Sequence, residues 1–494
     1  MMKFSAFFNQ KYRIATIIAL SIILCGIALF SYQDFADSDP PLTQAPMNPK
    51  FLKYLEDQSK GLYQAIHTSD GHPLGLIPDP IDLKNLYTTH FDTQSHLITT
   101  ALPKSYDLRT KQKLPSIRDQ GACGSCWAFA ALAATESSLL PSQKRDFSEQ
   151  HLITKHGFKG GPCAGGNILQ AVAYLARWSG PLNESDLPYK YASLTDYTDA
   201  KKHVQNVILI PPRSGPSDNK KIKDAVMKYG AVYTTMFYDP DNQYYDPSHH
   251  SYYNPSVDEG GHAVAIVGWQ NEFDKNNFRE IPPGNGAFIV RNSWGPDWGE
   301  DGYFYVSYHD PYFAASGLNS ALKKPESASN YKELYEYDPS GCTTLLGYPP
   351  SYKAWFANIF KAQSNTPLKA VSFYAFGTTN RYKIYIYTNV DANEPRSGIL
   401  ARKKSGKVTS MGYYTIRFNK VPLKQDERFS VVVSLETTGW EYPIAIEAPI
   451  NGYTKNLKAK KGQSFVSPDG ESWDDLPTFP SYKKTNMCLK AFAK

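Results

Sequence analysis

Two cysteines three positions apart, in the stretch DQGACGSCWAF at residues 119–129, are the first residues here that could do chemistry. A zinc site would need two further ligands at matching spacing, and Cys163 is the one other cysteine nearby. A redox pair would need a βαβ setting, and the flanking residues do not fit one. A disulfide knuckle explains one cysteine of the pair, because so local a link adds little constraint. The remaining interpretation is a nucleophile, with Cys126 as the candidate.

The residues around Cys126 favour this interpretation. The Ala- and Leu-rich run 126–140 ends at Pro141, which predicts a buried helix beginning at the cysteine. A helix N-terminus lowers the pKa of a thiol. Gly124 and Ser125 have little bulk, so a substrate can approach closely. The thiolate still needs a base and a group that orients the base.

Both partners follow further along the chain. GGHAVAIVGW places His262 at the start of a predicted strand, 136 residues after Cys126. RNSWGPDWGEDGY places Asn292 a further 30 residues along. In one known family of cysteine enzymes, the nucleophile lies in a C-G-[SA]-C-[WY] context and is followed by His and Asn after about 130–150 residues. His262 fits this spacing, and a loop insertion would explain the longer distance to Asn292.

The chain resembles the papain-like cysteine peptidases over residues 102–322, on the motifs LPKSYDLR, DQGACGSCWAF, CAGG, GGHAVAIVGW and NSWGPDWGEDGY. The resemblance implies an α+β fold with a helical lobe, a β-barrel-like lobe and a cleft between them. It implies hydrolysis of peptide bonds through an acyl-enzyme thioester. Endopeptidase activity is expected, because no segment is obviously built to block one end of the cleft.

The resemblance also implies a role for each matching residue. Cys126 is the nucleophile, paired as a thiolate with the imidazolium of His262, which later protonates the leaving amine. Asn292 orients the imidazole, and Trp294 covers that hydrogen bond from water. Gln120 donates a side-chain N–H to the oxyanion hole, beside the backbone N–H of Cys126.

The motif CAGG, at residues 163–166, is expected to serve the cleft as well. Cys163 resembles the family's disulfide partner of Cys123. The two glycines would let a substrate backbone pair like an added strand, although a simple turn is the alternative. The predicted substrate-binding residues are Gly165, Gly166, Asn167, Ile168 and Gly261.

Six cysteines occur in the chain, and five lie outside the N-terminal apolar segment. An odd number in an exported protein indicates a free thiol. Two bridges and one reactive cysteine would account for it. Cys342 and Cys488, near the two ends of the C-terminal region, are therefore predicted to form the second disulfide.

The N-terminus looks like a targeting segment. Three basic residues precede the apolar run 14–30, so residues 1–36 are expected to be a signal peptide or a membrane anchor. Residues 37–100 resemble a leader, with a Pro-rich linker, a short helix closed by Gly61 and an extended stretch HPLGLIPDPIDL. The remainder is expected to be secreted, extracellular or periplasmic, and membrane-attached only through an uncleaved N-terminus.

The peptidase domain is expected at 101–325 and an all-β sandwich at 326–494. Short alternating runs such as RYKIYIYTN and RFSVVVSLE predict antiparallel strands in the sandwich. This region resembles the lectin-like domains that follow some bacterial papain-like peptidases, which implies glycan binding. From residue 326 onward 23 Lys and Arg face 15 Asp and Glu, which indicates a solvated basic surface or an acidic glycan or cell-surface partner.

Composition sets outer limits on function. A net charge of +6 over 494 residues does not require a nucleic-acid partner. No metal site and no cofactor are expected. The prediction is an exported cysteine endopeptidase acting on peptides or proteins. The alternatives are an inactive peptidase serving as a secreted glycan-binding or adhesion protein, and a latent enzyme with residues 37–100 over the cleft.

Overall fold

The computed structural model describes residues 40–82, 101–189, 199–256 and 258–494. Leu42–Lys494 form one compact unit. The predicted signal peptide or anchor and the end of the leader lie outside the described residues. In the ranges that are described, no helix is both long and apolar enough to cross a membrane.

Five α-helices form in the described chain, and three begin within a residue of the sequence prediction. The leader helix starts with Pro49, and the side chain of Asn48 caps it by accepting a hydrogen bond from the backbone N–H of Lys50. Gly61 follows with φ +69°, the conformation that glycine adopts most easily. The helices are α1 Pro49–Ser59, α2 Cys126–Leu139, α3 Glu149–Lys155, α4 Ile168–Ala176 and α5 Lys220–Tyr229.

Helices α2, α3 and α4 form a helical lobe, and strands form the second lobe, so the predicted α+β class is confirmed. Strands β7, β10, β11 and β12 pair antiparallel with one another in that order, and β12 also pairs parallel with β9. The strands before the C-terminal region are β1 Thr43–Gln44, β2 Ile66–His67, β3 Pro73–Leu74, β4 Ser105–Asp107, β5 Lys202–His203, β6 Val207–Ile210, β7 Val232–Phe237, β8 Tyr245–Asp246, β9 Ser251–Tyr252, β10 Gly261–Gln270, β11 Ala287–Arg291, β12 Tyr303–Ser307 and β13 Asn319–Leu322.

The C-terminal region is all-β, as predicted, and its sheets pack face to face over an apolar core. Its strands alternate buried and exposed residues where one face meets water, as in β19. The strands are β14 Glu326–Ser327, β15 Glu333–Tyr335, β16 Thr344–Gly347, β17 Lys353–Lys361, β18 Leu368–Ala375, β19 Asn380–Thr388, β20 Ile399–Val408, β21 Met411–Val421, β22 Arg428–Thr437, β23 Ile444–Glu447, β24 Ser464–Ser467, β25 Asp474–Asp475, β26 Asn486–Met487 and β27 Leu489–Ala493.

One sheet crosses from the peptidase region into the C-terminal region. Strand β21 pairs with β6, with Gly412 opposite Ile208, and β6 pairs in turn with β13. A shared apolar core accompanies this junction, since Trp127 and Tyr174 of the helical lobe cluster with Tyr374 of the sandwich. The two regions therefore share backbone hydrogen bonds and core side chains.

The leader is attached to both regions. Strand β1 pairs with β16 of the sandwich, with Thr43 opposite Gly347. Helix α1 buries Phe51 and Tyr54 in a cluster with Phe158 and Tyr453. The sequence prediction of a segment that packs on another part of the chain is confirmed by these contacts.

Of the two predicted disulfides, one forms and the other does not. The described residues contain one disulfide, Cys123–Cys163. Cys342 and Cys488 are buried free thiols, so the predicted bridge between them is wrong. Burial, followed by a hydrogen bond with Cys342, raises the pKa of Cys488. This favours its protonated form, and the thiolate is the form that reacts to make a disulfide.

Candidate active site

Cys126 is the first residue of α2 and is fully buried. The backbone N–H of Ala263, on β10, points at its sulfur, with N and Sγ 3.5 Å apart. Burial raises the pKa of the Cys126 thiol to about 11, against the opposing effect of the backbone N–H groups of Ala263 and Gly75. The sulfur thus lies where the helical lobe meets the strand lobe.

His262 and Asn292 are brought together by the register of two strands. His262 is the second residue of β10, and Asn292 follows the end of β11, which runs antiparallel to β10. His262 Nε2 and Asn292 Oδ1 are 2.8 Å apart. The Trp294 ring stacks on the imidazole with centroids 4.8 Å apart. An Asn oxygen accepts, so this contact places the proton of a neutral imidazole on Nε2.

The other ring nitrogen of His262, Nδ1, is buried and has no hydrogen-bond partner among the described residues. Burial lowers the pKa of His262 to about 4, against the effect of the Asn292 hydrogen bond. Burial thus penalises charge on His262 and on Cys126 alike. Burial therefore disfavours the thiolate–imidazolium pair in this leader-covered form, and the ion pair expected from the sequence stays a prediction.

Gln120 is fully buried and is held at both ends of its amide. Its Oε1 accepts a hydrogen bond from the hydroxyl of Ser293 at 2.7 Å. Its Nε2 donates to the carbonyl oxygens of Cys123 and Pro73, both at 2.9 Å. Pro73 belongs to the leader, so a leader carbonyl takes up a donor that was predicted to serve an oxyanion.

The leader passes through the cleft as an extended strand. The N–H of Gly166 donates to the oxygen of Gly75 at 3.0 Å, and the N–H of Ile77 donates to the oxygen of Gly166 at 2.9 Å. Leu76 therefore lies opposite Gly166 in a parallel bridge. On the other side, the N–H of Leu76 donates to the oxygen of Gly261 at 3.1 Å.

The close approach of the leader depends on glycine. A Cβ on Gly75 would lie 2.1 Å from the backbone oxygen of Gly124, the residue after Cys123. Gly165 has φ +89° and would also bring a Cβ within 2.8 Å of the Gly75 oxygen. Upstream in the leader, the ring of His72 stacks on Trp294 with centroids 4.5 Å apart. The leader therefore covers the sulfur, the glycines and the tryptophan together.

The other predicted binding residues have different surroundings. Ile168 is buried in the core, against which Leu76 packs. The side chain of Asn167 caps α4 by accepting a hydrogen bond from the backbone N–H of Gln170, so its amide oxygen stabilises the start of this helix. Sequence reasoning missed the leader residues 72–77, Phe158 and Tyr453. The extended pattern HPLGLI hinted at the leader strand, and no motif marks Tyr453.

The disulfide positions the loop before the nucleophile. Cys123 and Cys163 are 40 residues apart in the sequence and joined in the structure. The disulfide holds Gly124 close to the CAGG segment: a Cβ added to Gly124 would lie 2.7 Å from the backbone oxygen of Cys163. The stretch that carries Cys126 is thereby fixed to the stretch that carries Gly165 and Gly166.

Two protein-family models match this chain. Residues 102–322 match the papain family cysteine protease model, and residues 334–493 match the lectin-like domain model. Peptidase 1 of Dermatophagoides farinae is 31% identical over 238 residues, which cover 45% of this chain and 67% of that protein. The chain belongs to the papain family of cysteine peptidases. It spans 61%, 66% and 54% of the length of three further relatives.

A solved structure shares the whole architecture. The cysteine protease and lectin-like domains of Cwp84, described as a surface layer associated protein of Clostridium difficile, align with TM-score 0.76 and 24% identity. The alignment covers 93% of this chain and 99% of that one, and it shows a common fold. A second structure, of clostridial Cwp84 after propeptide cleavage, aligns with TM-score 0.70 and 26% identity over 79% of this chain and 99% of that one.

Proposed function

We propose that the protein is a cysteine endopeptidase held latent by its own leader. The observation that carries this proposal is the position of Cys126, His262, Asn292 and Gln120 around one extended peptide segment. Within the family, a peptide in that position is what the enzyme cuts. The leader occupies it without presenting a bond for attack, because the backbone N–H of Gly75, a donor, faces the sulfur.

Release of the leader returns water to the cleft and removes the burial that disfavours charge on Cys126 and His262. The thiol proton of Cys126 then moves to Nδ1 of His262, and Asn292 keeps the imidazole turned toward the sulfur. The thiolate attacks the carbonyl carbon of the substrate, forming a C–S bond while the oxygen takes up the negative charge. Gln120 Nε2, freed from Pro73, donates to that oxygen.

Collapse of this intermediate completes the acyl transfer. His262 gives its proton to the leaving amine, so the C–N bond breaks and a thioester remains on Cys126. Water then attacks the thioester, with His262 accepting its proton. The carboxylic acid product leaves and loses its proton to solvent, and His262 returns its proton to the thiolate. Trp294, stacked on the imidazole, excludes water from the bond between His262 and Asn292.

The test is turnover of internally quenched peptides by residues 42–494 under mild reducing conditions, beside Cys126→Ala as the matched control. Mass spectrometry of the same samples records whether the leader is intact. Turnover that accompanies leader release and is absent from Cys126→Ala supports the proposal. Turnover that persists in Cys126→Ala, or none after the leader is displaced, would overturn it in favour of an inactive glycan-binding protein.

For the C-terminal domain we infer an anionic partner at the cell surface. Strand β20 is the edge of the six-stranded sheet and exposes Lys403, Lys404 and Lys407. Lysines on an edge strand also prevent sheet-to-sheet association, so the charge alone has a second explanation. Salt-sensitive retention on an anionic polysaccharide, lost when the three lysines become Gln, supports the inference, and unchanged retention refutes it.

An exported location fits the same proposal. The N-terminal basic and apolar segment, the disulfide and the relation to a surface layer associated protein support it. Attachment to a membrane would come through the N-terminal segment alone, if that segment is not cleaved. Detection of the mature N-terminus in culture medium, cell wall and membrane fractions decides between these locations.

A further inference from the structure

A loop of the C-terminal domain, residues 450–454, is fastened to the rim of the peptidase cleft. The backbone N–H of Lys159 donates to the oxygen of Tyr453 at 2.8 Å. Phe158 and Thr454 form an antiparallel bridge. The rings of Phe158 and Tyr453 lie with centroids 4.9 Å apart. Tyr453 is thus held in a fixed position on the helical lobe and is 2% exposed.

The hydroxyl of Tyr453 reaches the residue next to the cleft glycines. It lies 3.1 Å from Asn167 Nδ2, which can donate to it, and 3.2 Å from Asn167 Oδ1. The same Oδ1 accepts from the backbone N–H of Gln170 at 3.1 Å, which fixes the side chain at the start of α4. Asn167 directly follows Gly166, the residue that pairs with the strand in the cleft.

A branched aliphatic side chain already occupies the space between these groups. Ile77 is 3% exposed and belongs to one apolar cluster with Phe158, Ala173 and Tyr453. A Cβ on Gly165 would lie 3.2 Å from Cγ1 of Ile77, so the bare glycine provides the room for it. The pocket is therefore apolar, closely packed and built by two domains.

The position of Ile77 in the strand defines the subsite. Gly75 faces Cys126, Leu76 lies opposite Gly166, and Ile77 is the next residue outward. We propose that Tyr453, with Phe158, forms a specificity subsite for an apolar side chain on the third substrate residue before the scissile bond. The inference rests on the proposed peptidase activity, and it makes the C-terminal domain a participant in substrate selection.

The experiment compares two fluorogenic peptides that differ only at this third residue, one with Ile and one with Gly. Both are assayed with residues 42–494 carrying Gly75→Ala, which removes the leader from the cleft by collision with Gly124. We expect a preference in kcat/KM for the Ile peptide. Tyr453→Ala should reduce the preference about 10-fold, since the pocket loses an apolar wall. Tyr453→Phe should retain it, because the ring remains.

Tyr385→Ala is the matched control, since Tyr385 packs on Trp355 in the six-stranded sheet of the same domain. It should leave the preference unchanged. Melting curves are recorded first, because Tyr453→Ala removes a buried ring. If that variant is unfolded at the assay temperature, Tyr453→Leu is used, with a fall of about threefold expected.

The outcomes separate the two proposals. Equal losses on both peptides in folded Tyr453→Ala, or an unchanged preference, would overturn the specificity subsite and leave the peptidase activity standing. No turnover of any peptide by the Gly75→Ala protein, while its Cys126 reacts with a small alkylating agent, would overturn the activity, and the subsite with it. A preference that falls with Tyr453→Ala and persists in Tyr385→Ala is the result that the structure predicts.

Discussion

Substitution of Gly75 by Ala is the most direct perturbation of latency. The added Cβ would lie 2.1 Å from the oxygen and 2.3 Å from the carbon of Gly124, both backbone atoms. Gly124 cannot move aside, because it lies between Cys123, which is tied to Cys163, and the start of α2. Ordinary contact begins at 3.4 Å, so the leader strand must retreat by more than 1 Å.

A retreat of this size breaks the hydrogen bonds that hold the strand in the cleft. The two bonds with Gly166 and the one with Gly261 each contribute about 0.5–1.5 kcal/mol. Their loss weakens docking by about 1.5–4.5 kcal/mol, which raises the released fraction roughly 10- to 2,000-fold until release is complete. The wild-type leader keeps these hydrogen bonds, so the basal turnover of the wild-type protein is expected to be low.

The assay is the initial rate of peptide turnover by intact residues 42–494, with gels confirming that the leader has not been cut. We expect at least about a 10-fold rise for Gly75→Ala, given the estimated weakening of docking. Gly161→Ala is the control, since a Cβ there meets nothing within 4 Å. Equal rates for wild type, Gly75→Ala and Gly161→Ala, with Cys126 reactive to a small alkylating agent in all three, would refute the latency reasoning.

Burial raises the pKa of Asp79 to about 7, so the cost of its charge is absent below about pH 4 and complete above pH 7. Asp79→Asn should therefore raise the melting temperature at pH 7.5 but not at pH 4, and a pH-independent difference would contradict this. Replacement of both Cys123 and Cys163 by Ser should lower the free energy of unfolding by about 4 kcal/mol, the entropy of a 40-residue loop, as measured with urea. Cys342 and Cys488 should both be alkylated after unfolding without reductant, and a disulfide-linked peptide pair would contradict the structure.

The elements that carry the candidate site residues were predictable because each residue lies in a local context that predicts its element. Cys126 opens an Ala-rich helix, and His262 opens an apolar strand. The antiparallel register of β10 and β11 brings Asn292 to the imidazole of His262, and no local sequence pattern predicts this register. Helix starts and strand runs are properties of neighbouring residues, so they can be read from the sequence.

The missed features depend on contacts between distant parts of the chain. Ile77 and Tyr453 meet although most of the chain lies between them, and neither stands in a distinctive pattern. The pKa of Cys126 depends on more than the N-terminus of its own helix, because burial beneath the leader has the larger effect and raises it. The predicted bridge between Cys342 and Cys488 came from the number of cysteines alone, and that number contains no information on the protonation of a buried thiol.

The sheet that crosses from β6 to β21 has a mechanical consequence. A catalytic unit on a flexible tether would sweep a volume around its anchor point, and its reach would be set by the tether's length. Here the catalytic and C-terminal regions are joined by lateral hydrogen bonds and a common core. A force applied to one region is therefore transmitted directly to the other. Proteolytic cleavage of the chain between β13 and β15 would leave the two regions associated. An enzyme fixed to a surface through its C-terminal domain would therefore present its cleft in one direction, and would select substrates by their orientation as well as by sequence.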